Sequence, residues 1–120
     1  VKSSVEWTTA RKKSFIVSAL RAGSRRWPPR FETLADAKTE KKINKATGRL
    51  AQHFRCAACQ EEFPATMVEV DHIKAVAAND GFTTWDSFIE NLFCGKDNLQ
   101  ILCKPCHREK SALEKQKRNK

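Results

Sequence analysis

No stretch of the 120-residue chain stays apolar for the length needed to cross a bilayer, so no membrane role is expected. No segment has the basic, apolar and small-residue order of a secretory signal either. The expectation is a chain that stays in a reducing cytoplasm. Acidic residues are scarce, with 14 Asp and Glu against 23 Lys and Arg, which leaves a net charge of +9. A field of that sign attracts polyanions, and nucleic acid is the first partner to consider. The cysteines number five, so they cannot all be paired in disulfides, and in a cytosolic chain their pattern points to a zinc site more than to disulfides. Four of them fall in two CxxC pairs, Cys56/Cys59 and Cys103/Cys106, and no other internal repeat is visible.

What is present fits a small folded protein. Hydrophobic residues make up 40% and charged residues 31%, and a chain of this size buries a modest core that a metal staple would help. Thr8 or Thr9 can cap a helix through Leu20 that stops near Gly23, with Phe15, Ile16, Ala19 and Leu20 on one face. Pro28 and Pro29 then break the chain, and a second helix is expected from Phe31 to about Lys42, followed by a turn over 44–49. Residues 1 to about 50 are read as a basic helical arm or cap, and 51–120 as the core. In that core Met67 to Ile73 alternates like a strand. Asn79-Asp80-Gly81 signals a turn, and Trp85 to Phe93 carries its apolar residues at helical spacing behind a Thr cap in Thr83-Thr84. Asn98 to Leu102 reads as a second strand antiparallel to the first, and Cys106 to about Lys117 as a charged helix ending in a basic tail.

The chemistry gathers around Asp71-His72. Thiolates two residues apart can take two corners of a tetrahedral zinc, so Cys56, Cys59, Cys103 and Cys106 together would complete one structural Zn²⁺ site. All four corners are then protein, and chemistry needs a second site. Asp71 and His107 offer a carboxylate oxygen and an imidazole nitrogen, a set that suits Mg²⁺, Mn²⁺ or a similar ion with room for water and phosphate. Regular alternation places His72 on the opposite face of the strand from Asp71, which implies a split of roles. A neutral imidazole can take a proton from water near neutral pH, so His72 is the candidate general base. Asn98 on the neighbouring strand can hydrogen-bond the loop or side chain that orients it. Cys94 reads as a core or helix-end residue, and His53 as a packing residue.

Val70-Asp71-His72-Ile73, Asn98-Leu99 and Leu102-Cys103-Lys104-Pro105-Cys106-His107-Arg108-Glu109-Lys110 resemble the HNH endonucleases. The likeness is to the subgroup braced by two zinc-binding CxxC pairs, and the N-terminal stretch resembles small phage-encoded members. The resemblance implies a small α+β fold with a ββα-metal (His-Me finger) core wrapped round one catalytic divalent ion, Mg²⁺, Mn²⁺ or Ni²⁺. It implies His72 as general base, Asp71 and His107 as ligands of that ion, and Asn98 as the residue that holds the base. The implied substrate is double-stranded DNA, cut or nicked to leave 5′-phosphate and 3′-hydroxyl ends. Arg11, Lys12, Lys13, Arg25, Arg26 and Lys110 are the candidate DNA contacts. The insert from Ala77 to Lys96 is longer than the loop many members carry between the strands. Two rival readings stand beside this one: a non-catalytic zinc-ribbon DNA-binding or adaptor protein, and a nuclease accessory of a larger assembly such as a phage DNA-packaging machine.

Overall fold

The computed structural model describes residues 7–76 and 84–118. The turn expected at Asn79–Gly81 lies outside them. Helix α1 (Thr9–Ser24) starts where the Thr8 Oγ1 accepts the Arg11 amide at 3.2 Å. Its inward residues are Val17 and Leu20, whereas Phe15 and Ile16 stand 69% and 44% exposed, so the apolar face expected of this helix is only partly used. Helix α2 (Pro28–Asp36) opens with both prolines, whose missing amides cost nothing in a first turn. It ends six residues earlier than expected. The chain turns at Ala37 and runs on as strand β1 (Lys38–Ile43), because past Leu34 and Ala35 no large apolar residue continues a helical stripe. The Asn44–Gly48 turn folds β1 back on β2 (Leu50–Arg55), which satisfies its backbone in a hairpin.

Strand β3 (Glu62–Pro64) pairs with the far side of β2 to give the antiparallel order β1-β2-β3. The hairpin spans residue 50, the edge of the expected arm. A second sheet holds β4 (Val68–His72) and β5 (Leu99–Cys103), antiparallel, with Asp71 opposite Gln100 and His72 opposite Leu99. Between them lies α3 (Trp85–Leu92), capped by Thr84, whose Oγ1 accepts the Ser87 amide at 3.1 Å. After β5 the chain enters α4 (Lys104–Arg118) at once, two residues ahead of the expected start.

Three small clusters hold these parts. Phe54, Val68 and Ile101 join the two sheets, with Leu34 of α2 against them. Cys56, Leu102 and Cys103 bury the end of β5. Phe88 and Leu92 of α3 pack with Val76 under Val17 and Leu20 of α1. Trp27 adds a link between α2 and the end of α3, edge-on to Phe93 at 5.5 Å and donating its indole N–H to the Cys94 carbonyl at 2.6 Å. No helix among the described residues is long and apolar enough to cross a membrane.

Candidate functional site

The cysteine cluster is built by two turns. After β2 the chain doubles back through Cys56 to Cys59, held by Cys56 N–H to Glu61 O at 2.9 Å and Gln60 N–H to Cys56 O at 3.0 Å, with Gln60 at φ 63°. Ala57 N–H donates to Ile101 O at 2.8 Å and ties this knuckle to β5. Cys103 ends β5 and Cys106 sits in the first turn of α4. The four Sγ atoms lie within 4.8 Å of one another, and those of Cys59 and Cys103 are 4.0 Å apart. Sulfurs around a tetrahedral zinc stand about 3.8 Å apart, so these four fit such an ion. Burial pushes the Cys56 thiol up, but amide groups of Cys103, Cys59 and Ala58 outweigh it and bring it down to about 6. The Cys103 thiol, burial and the other two thiols push Cys106 up to about 12. One thiolate thus forms readily and opposes the next, and a dication at the centre would remove that opposition. His53 stands outside the cluster, buried, with Nδ1 2.9 Å from Ala51 O.

A cavity of about 230 Å³ opens between β4, α4 and α1, and Asp71, His72 and His107 all line it, with Arg21, Lys110, Ser111 and Glu114. Period-two alternation sends Glu69 and Asp71 toward α4. His107 stands between them, its Nδ1 2.8 Å from Glu69 Oε2 and its Nε2 3.4 Å from Asp71 Oδ1. Asp71 is buried, and its Oδ2 accepts from Gln100 Nε2 at 3.0 Å and lies 3.2 Å from the Lys110 ammonium. Lys110 also donates to His72 O at 2.9 Å and meets Glu114 at 3.3 Å, so it faces into the cavity.

His72 is directed the other way, to the end of α3, where its Nε2 is 3.1 Å from Leu92 O. A carbonyl only accepts, so Nε2 carries the hydrogen and Nδ1 keeps the lone pair. Burial lowers the pKa of His72, and the charges of Arg30 and Arg21 lower it further against the opposing pull of Leu92 O and Asp71. Asn98, in the helical turn Lys96–Asn98 just before β5, clamps the chain after His72 with three bonds. Its Oδ1 accepts the Lys74 amide at 2.9 Å, its Nδ2 donates to Lys74 O at 3.3 Å, and its carbonyl accepts the Ile73 amide at 2.9 Å.

The structure therefore brings Asp71, His72, His107 and Lys110 to one cavity, while Asn98 stands outside its lining, bonded to the backbone just after His72. Arg11, Lys12, Lys13, Arg25 and Arg26 are not in the cavity lining. Arg11 lies over the Trp7 ring at 4.3 Å, and Arg25 and Arg26 are exposed in the turn after α1. Sequence reasoning missed Glu69, although its place two residues before Asp71 on an alternating strand was the signal. It also missed Arg21, whose guanidinium reaches the cavity from α1 across the Phe88 ring at 5.5 Å. Only helical phase distinguishes Arg21 from its basic neighbours.

Fold and site together define a small α+β protein in which a four-cysteine cluster able to hold a metal such as zinc braces a carboxylate and imidazole cavity. The chain is 39% identical over 65 residues to a "Probable HNH endonuclease" of Lactococcus phage SK1, a match that covers 53% of this chain and 61% of that protein. The resemblance to HNH endonucleases expected from the sequence is borne out by that relative. No protein-family model and no solved structure matches the chain.

Proposed function

We propose that the chain is a metal-dependent HNH endonuclease, with β4, β5 and α4 as its ββα-metal core and double-stranded DNA as its substrate. The observation that carries the reading is the meeting of His72, Asp71 and His107 in one cavity, with an Asp71 oxygen and a His107 nitrogen 3.4 Å apart. These two atoms face each other as a hard oxygen and an imidazole nitrogen, which suits Mg²⁺, Mn²⁺ or Ni²⁺. Glu69 on the other ring nitrogen of His107 is the outer partner that metal-ligating histidines usually have. Asp71 and His107 would hold a divalent ion there, and such an ion would supply positive charge toward a phosphodiester.

The protein's own groups do the rest. His72, neutral and with its lone pair on Nδ1 because Nε2 is turned to Leu92 O, takes the proton of the attacking water. Asn98 fixes the backbone after His72 and so the direction of its ring. Arg21 and Lys110 bring cationic groups to the same cavity, where a phosphate would enter. The arrival of Arg21 from α1 supports reading the basic N-terminal stretch as a cap on the core rather than a separate unit.

The test is a supercoiled-plasmid assay on zinc-loaded protein. Nicking should be absent with no added ion, appear with Mg²⁺, Mn²⁺ or Ni²⁺, and be lost in Asp71→Asn at equal zinc content. DNA bound but uncut under every ion would replace this reading with that of a zinc-braced binding protein.

A further inference from the structure

The β1–β2 hairpin ends in a tip made rigid by its own hydrogen bonds. Asn44 donates to Arg49 O at 2.7 Å, Gly48 donates to Asn44 O at 2.7 Å, and the Asn44 Oδ1 accepts the Ala46 amide at 2.9 Å. Gly48 takes φ 73°, which a side chain would resist, and this is where the turn closes. Every residue from Lys45 to Leu50 is exposed. Ile43 and Leu50 lie directly opposite each other at the end of the ladder, yet they are 57% and 64% exposed. Such a cross-strand pair packs on itself at the end of the ribbon and is otherwise largely open to solvent.

The charge around that pair is equally uneven. Lys42 is neutralised by Glu62 at 2.6 Å and Lys96 by Asp36 at 2.9 Å. The side chains of Lys41, Lys45 and Arg49, each within two residues of the apolar pair, make no ion pair among the described residues. Lys41 is two residues from Ile43 and therefore shares its face of the strand.

We infer that this hairpin is a DNA-gripping ribbon: Lys41, Lys45 and Arg49 contact phosphates while Ile43 and Leu50 meet base edges in the major groove. A major groove admits a two-stranded β-ribbon, and the thymine methyl is its apolar feature. Charge complementarity selects the polyanion, and the inference rests on the proposed function in taking duplex DNA as the occupant. The ribbon would grip the duplex through residues outside the cavity lining and add affinity without touching the reaction.

Binding to a fluorescent duplex of about 30 base pairs is measured by anisotropy across a salt series without a catalytic ion, beside the plasmid assay. Lys45→Ala/Arg49→Ala should bind more weakly by roughly tenfold at 0.1 M salt, and its slope of log affinity against log salt should fall by about two. Ile43→Ser/Leu50→Ser should lose roughly fivefold with the slope unchanged, and lose any preference for thymine over uracil in the duplex. Either variant binding as the parent does would overturn the inference. A parent dimer that the serine variant dissolves, with DNA affinity intact, would overturn it in favour of a protein interface. If the parent nicks plasmid while both variants bind normally, the ribbon fails and the nuclease reading stands.

Discussion

His107 touches a carboxylate at each ring nitrogen, Glu69 at 2.8 Å and Asp71 at 3.4 Å. The closer one fixes which nitrogen carries hydrogen, and so leaves the Nε2 lone pair to face Asp71, where the proposed cation would sit. Glu69→Gln keeps the shape but weakens that control. We predict divalent-ion affinity lower by roughly 10- to 100-fold, read by calorimetric titration of Mn²⁺ into zinc-loaded protein. Affinity equal to the parent's would show Glu69 to be a surface partner only. For His72 the sign follows from burial. A histidine whose pKa is lowered stays neutral to more acidic pH, so the base form persists below the ordinary value of 6.5. The acid limb of the cleavage profile should therefore fall below pH 6.5, and a limb above it would contradict a buried base. Asp71, His72, Asn98 and His107 were legible in the sequence because their residue types and order are unusual together. Glu69 and Arg21 were not, since a glutamate on a strand and an arginine on a basic helix are ordinary until geometry singles them out.

At the scale of elements, the cysteine cluster is the joint. It fastens the knuckle after β2 to the end of β5 and the first turn of α4, the same turn region that carries His107. Removing the ion should loosen the placement of His107 against Asp71 before it unfolds α1 or α2. Chelation, or Cys103→Ser, is predicted to lower the thermal midpoint by more than about 10 °C, followed by circular dichroism. A midpoint unchanged after verified loss of zinc would show that Phe54, Val68 and Ile101 hold the sheets unaided. The strands β4 and β5, the capped helix α3 and the last helix could be read in advance, because alternation, caps and spacing agreed there. Lys38–Ile43 could not. Its sequence has too few apolar residues to show a period, and its strand state comes from pairing with β2, a contact that local composition does not encode.

For the molecule as a whole, the excess of positive charge is distributed in two ways. Some of it is tied down, as at Lys42, Lys96 and Lys110, and some stands free on the ribbon, with Arg21 turned toward the cavity. A net charge of +9 told of a polyanion partner but not of this division. In the proposed reaction one imidazole in that cavity activates water against DNA. Supercoiled-plasmid nicking with added Mg²⁺ or Mn²⁺, comparing the parent with His72→Ala purified alike and matched for zinc, decides this. Nicking by the parent should drop by roughly 10²- to 10⁴-fold in the variant while zinc and DNA binding are kept. Equal nicking by both proteins would rule out His72 as the base.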